Sequence, residues 1–276
     1  MNLVRQSIAA ELRGMFAPTE SDISFEPGIG LFPEGAVSRK VHGHVATMMI
    51  GGVSALLLQM LHPGALGGVW DHSNFRQDML GRLRRTARFI AATTYGRMED
   101  AEAAIERVKR VHSYVRGTLA DGTPYSADDP HLLNWVHVTE LVSFLASWQR
   151  YKQPGMSRTE EDRYFAENVV VAERLGAANV PASRMEVDAF LRDVRPELQV
   201  DERVREVRGV LMNHKASKPA MQPALNLIMK AGADLLPDWA QRAHGFRFLP
   251  GERMVVRTAA MAAIRTVGWA MTAPRR

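Results

Sequence analysis

The stretch "VATMMIGGVSALLLQMLHPGALGGVW", residues 45–70, decides the fold, because it carries no formally charged side chain over 26 positions. It is long enough to cross a bilayer. Against a membrane span, Gln59, His62 and Pro63 fall inside it, and glycine pairs at 51–52 and 67–68 interrupt it. A helix buried on all sides in a large α-helical core passes the same hydropathy test, and it accommodates these residues better. The expectation is a central core helix that ends near His62-Pro63.

Outward from this stretch the apolar spacing is helical almost throughout. "QDMLGRLRRTARFIAATTYG" places Leu80, Leu83, Ala87 and Ile90 three and four apart and ends at Gly96, a candidate C-cap. "DAEAAIERVKRVHSYVRGTL" follows, with Asp100 as a candidate N-cap and Ile105, Val108, Val111 and Val115 inward. Asp121-Gly122 signals a turn, and Asp129-Pro130 signals a cap with a first-turn proline ahead of "HLLNWVHVTELVSFLASWQRY". Further helices are expected at 158–175, 184–194, 201–212, 219–236 and 252–272, and "YKQPGMS" (151–157) is a candidate hinge. Alternating strand patterns are nearly absent, and there is no internal repeat. The fold class expected is all-α, one domain over 1–276.

The composition is that of a globular chain: 46% hydrophobic and 24% charged over 276 residues. The net charge of +5 comes from interleaved signs with few aromatics, which argues against a nucleic-acid surface. The absence of cysteine excludes disulfides, thiolate metal centres, Fe–S clusters and covalent c-type haem. "MNLVRQSIAAELRGMF" reads as a short amphipathic helix with no cleavage signal, so a cytoplasmic location is expected. The basic "RMVVRTAAMAAIRTVGWAMTAPRR" admits at most peripheral membrane contact.

A P-loop, a zinc-protease His-Glu-x-x-His, paired Glu-x-x-His and a nucleophile elbow are all missing, and "GIGLFP" lacks the third glycine of a dinucleotide loop. Histidines remain. "VHGHV" suggests His42 and His44 in an exposed loop, His62 is expected to donate to a terminal carbonyl, and Asp71, beside His72, reads as a cap for the following helix. In "VKRVHSYVRG", His112 shares a helical face with Val108 and Val115. Arg82 and Thr86 lie four apart on the preceding helix, so antiparallel packing would place an imidazole, a guanidinium and a hydroxyl around one space. A buried arginine needs an anion, which the propionates of haem b supply. The alternative is that Arg82 pairs with a protein carboxylate and Thr86 bonds back to its own helix.

Residues 32–147 resemble the MpaB/rubber-oxygenase family, which includes the latex-clearing proteins. The marks are Leu-Leu-Leu-Gln-x-x-His-Pro-Gly at 56–64, Asp71-His72-Ser73, Arg82-x-x-x-Thr86, Val108-x-x-x-His112-x-x-Val115-x-Gly117 and Asp121-Gly122-x-x-Tyr125. The later "RLGAANVPAS" and "ADLLPDWAQR" are similar more loosely. The resemblance implies a globin-like helical core with additional C-terminal helices (158–272) packed on it, holding haem b. It implies an oxygenase or oxidoreductase that uses O₂, with an electron donor possible, on a small apolar, isoprenoid-like substrate. His112 is the implied iron ligand, and Arg82 and Thr86 are the implied haem-side residues. Arg85 stands where latex-clearing members carry a coordinating lysine, and arginine cannot deprotonate to bind iron. Lys109 replaces an arginine, and Asp71 is the nearest equivalent of a catalytic carboxylate. The rival reading is a non-catalytic haem or lipophilic-ligand binding protein.

Overall fold

A computed structural model describes residues 29–216 and 218–271 of the chain, so the amphipathic stretch at the N-terminus and the last residues of the basic tail lie outside the described residues. Twelve α-helices and one two-stranded hairpin make up the described residues, and the all-α expectation holds. Helix α1 spans Val37–His42, α2 Val45–Gln59, α3 Pro63–His72, α4 Phe75–Tyr95 and α5 Met98–His112. The hairpin pairs β1 (Arg116–Thr118) with β2 (Pro124–Ser126). Then follow α6 (Pro130–Tyr151), α7 (Arg158–Leu175), α8 (Arg184–Asp193), α9 (Glu202–Met212), α10 (Gln222–Leu235), α11 (Asp238–His244) and α12 (Glu252–Met271).

The uncharged stretch folds into α2 and α3, which are bent from each other by 104°, and no single described helix is long and apolar enough to cross a membrane. Pro63 forces the bend, since it cannot donate to the preceding turn and suits the first position of a new helix. His62 is the N-cap of α3: its Nδ1 accepts from the Gly64 amide at 3.1 Å, so it accepts instead of donating to a carbonyl as expected. The end of α2 is closed by distant groups instead. Trp135 Nε1 donates to the Gln59 carbonyl (3.2 Å), His244 Nε2 to that of Leu57 (2.9 Å), and the Gln199 amide to that of Leu61 (2.8 Å).

Helix α2 sits between α6 and α10 and packs closely on both. A Cβ at Gly51 would lie 2.8 Å from the Phe144 ring, and one at Gly232 of α10 would lie 2.5 Å from Val53. Asp234 of α10 is fully buried and accepts from Arg150 of α6 (2.9 Å) and from Arg257 of α12 (2.7 and 3.0 Å), tying three helices together.

Several local expectations change. Asp129 caps α6 through the His131 and Leu132 amides, as the sequence indicates. Asp100, expected as the N-cap of α5, occupies its third position and accepts from the amide of the true cap, Arg97. Helix α5 ends at His112, so Val115 lies beyond it and Val111 is largely exposed. The chain turns there into the hairpin, where Gly122 takes φ +87° and the Tyr125 ring packs against Gly67 and Gly117. The 151–157 segment is stapled, with Trp148 Nε1 on Gln153 and Gln153 on Glu160. His42 ends α1 with both ring nitrogens bonded, to Thr94 (3.0 Å) and Tyr164 (2.9 Å), so the exposed-loop expectation fails.

Candidate functional site

Helices α4 and α5 are joined by two residues, Gly96 and Arg97, and pack on each other as an antiparallel pair. Counting outward from this turn sets position 82 against positions near 111, so Arg82 comes opposite the end of α5. Helix α4 is interrupted at Asp78, whose backbone is non-helical (φ −136°, ψ 53°) and whose carboxylate accepts from the Gly81 amide (2.9 Å). This restart works as a second N-cap and directs Arg82 inward, one turn later.

Arg82 makes no hydrogen bond or ion pair within 4.0 Å among the described residues. Burial lowers its pKa to about 10, with Arg85 lowering it further and Glu140 opposing. A desolvated guanidinium without an anion at contact distance is costly unless a ligand supplies one. Thr86 bonds neither to its own helix nor elsewhere among the described residues. On both points the pairing alternative is not what the structure shows.

His112 is half-buried and neither of its ring nitrogens has a hydrogen-bond partner among the described residues; Nδ1 is sealed from solvent. Burial lowers its pKa, and Asp128 opposes that shift while Arg82 adds to it, so Arg82 lies within electrostatic reach of the ring. A neutral, unbonded imidazole beside an unpaired guanidinium is a donor set that a haem would satisfy on both counts.

The other expected residues lie elsewhere. Arg85 is 62% exposed and pairs with Asp78 at 3.2 Å, on the outer side of α4. Asp71 does not cap α4, whose N-cap is Asn74; its exposed carboxylate accepts from the Tyr125 hydroxyl and fixes the hairpin to α3. Lys109 pairs with Glu106 at the surface (2.9 Å).

One interior carboxylate escaped the sequence reading. Glu140 of α6 lies within electrostatic reach of the Gln59 side chain and of Arg82, yet burial outweighs both and raises its pKa to about 7. One turn earlier, His137 has a sealed, unpartnered Nε2 and a pKa lowered by burial to about 4. His42 lies within reach of His137, and burial takes its pKa to about 3. Gly52, two turns before Gln59 on the same stripe of α2, opens on space in which a Cβ would meet no atom within 4 Å. Arg82 is therefore within electrostatic reach of two polar groups, His112 and Glu140. The available signal was that Glu140 is the only formal charge between Leu132 and Trp148, on a helix otherwise apolar enough to be core.

Comparison with curated proteins and with solved structures finds no match. The family model described as "ER-bound oxygenase mpaB/B'/Rubber oxygenase, catalytic domain" matches residues 39–266, which include α2 to α11 whole and all of the residues above. The chain belongs to the mpaB/rubber oxygenase catalytic-domain family.

Proposed function

We propose that this member is a haem b-dependent oxygenase acting with O₂ on a small apolar, isoprenoid-like molecule. The observation that carries the reading is the α4–α5 pair, which sets an unbonded neutral imidazole, His112, within reach of a half-buried guanidinium, Arg82, that has no anion at contact distance among the described residues. When bound, haem b supplies an iron that activates O₂ and two propionate anions.

In this reading His112 would hold the iron through a ring nitrogen, its lowered pKa keeping the lone pair free at neutral pH. Among the described residues no carbonyl or carboxylate fixes the other nitrogen, and Arg82 and Asp128 act on the ring electrostatically. Arg82 takes an anionic group, and the free Thr86 hydroxyl donates beside it. Glu140, with a pKa near 7, holds or releases a proton within electrostatic reach of Arg82. The uncharged 45–70 stretch, which makes up α2 and most of α3, supplies the apolar wall that keeps water out. Arg85 and Asp71 carry no role in it, because their side chains are engaged at the surface.

The test is the visible spectrum of protein made with a haem precursor. A Soret band that is lost in His112→Ala, with far-UV circular dichroism unchanged, is expected. A wild-type protein without the band, or an unchanged band in the variant, overturns the assignment. Stoichiometric O₂ uptake with a polyisoprenoid separates the oxygenase from a carrier, which consumes none.

A further inference from the structure

The geometry points to a second site, a divalent transition-metal site formed by His62, His131 and Glu197 on the outer corner of the fold. The residues come from three separate places: the N-cap of α3, the second position of α6, and the end of the short 3₁₀ turn Arg195–Glu197. His62 Nε2 lies 3.2 Å from Glu197 Oε2, and His131 Nε2 lies 3.1 and 3.0 Å from the two carboxylate oxygens. One ligand atom from each residue falls within 4.8 Å of the others. A tetrahedral zinc site with bonds of about 2.0–2.2 Å has ligand–ligand edges of about 3.3 Å. The two His–Glu edges are thus already near the lengths that a metal would impose.

Two imidazoles and one carboxylate suit zinc, cobalt or nickel, whereas magnesium and calcium prefer oxygen alone. His131 and Glu197 are half-exposed, which leaves room for water at a fourth position. His62 is the inner ligand, tilted against Trp135 at 6.0 Å. Asp129 lies within reach of His62 and, with Glu197, balances a doubly charged cation against the positive ends of α3 and α6.

The hydrogen bonding around His62 gives the site a specific signature. Its Nδ1 accepts from the Gly64 amide, so without metal the proton sits on Nε2 and points at Glu197. A metal on Nε2 moves that proton to Nδ1, and the Gly64 amide then loses its acceptor. Metal binding therefore exchanges the cap of α3 for a pin between the starts of α3 and α6 and the 3₁₀ turn. None of His112, Arg82, Thr86 or Glu140 takes part, so this inference stands or falls separately from the haem reading.

The experiment is titration of tag-free protein with cobalt(II) and zinc(II) alone. Expected are one equivalent of cobalt with the visible absorption of a four-coordinate ion and displacement by zinc. The Gly64 amide resonance should shift, and zinc in hundredfold excess over its dissociation constant should raise Tm by about 5 °C. His131→Ala and Glu197→Gln should each weaken binding on the order of 100-fold, since each removes one of three ligands. His62 is left intact because it also caps α3. No cobalt band in the wild type, or a band retained in both variants, overturns the site.

Discussion

Glu140 is largely withdrawn from water without gaining a cation at contact distance among the described residues, and this makes it the most informative single side chain of the candidate site. Burial disfavours its charged form, while Arg82 and the Gln59 amide partly offset that effect. Carboxyl-carbon NMR should therefore find its midpoint near pH 7, and Arg82→Gln should move the midpoint upward, since a nearby positive charge favours the carboxylate. A downward movement would mean that Arg82 does not act on Glu140. Much of the site was legible from residues alone: helical spacing set Arg82 and Thr86 on one face, and the resemblance pointed to His112. Glu140 was not, although its isolation in an apolar helix was visible, because the recognisable Glu-x-x-His motif has Glu ahead of His and here His137 precedes it. The His62–His131–Glu197 cluster could not be read at all, as nothing in local periodicity brings position 197 to position 62.

At the scale of elements, caps and prolines were the readable signals. Asp129-Pro130 starts α6 where expected, and α7 runs over the expected 158–175. The end of α5 was misread because apolar residues continue past it; the hairpin that replaces the expected helix has strands of only three residues, too short to show alternation. Its packing uses glycine, since a Cβ at Gly67 or Gly117 would run into the Tyr125 ring. The glycines of the α2 packing make opposite predictions. Gly232→Ala drives a methyl into Val53 and should destabilise by about 1–3 kcal/mol, with Val53→Ala restoring part of the loss. Gly52→Ala meets open space in a helix interior and should stabilise ligand-free protein by about 0.5–1 kcal/mol. Urea unfolding of the variants checks both, and a stabilised Gly232→Ala would show that α10 does not approach α2 this closely.

For the whole molecule, interior histidines set the acid limit. His42, His137 and His244 have folded pKa values of about 3, 4 and 4 through burial, all below the ordinary 6.5. Between these values the unfolded chain binds more protons than the folded one, so stability is full above pH 6.5 and falls on acidification, by at most about 1.4 kcal/mol per pH unit for each ring. Glu140 works in the opposite sense, binding its proton more tightly when folded and lowering stability as pH rises from 4.5 to 7. Three rings outweigh one carboxyl, so Tm of the ligand-free protein should drop from pH 7.5 to pH 5, and His244→Asn should flatten that drop. A Tm that is higher at pH 5 would contradict the burial of these rings.

The closure of α2 has one more consequence, which concerns time. The Leu57 carbonyl receives its partner from His244, 187 positions later, and that of Leu61 from Gln199. A chain emerging from the ribosome thus carries its most apolar helix with an unfinished end until most of the sequence has been made. The end of α2 is completed only by late segments of this chain, and a nascent chain halted before residue 199 should remain a client of chaperones.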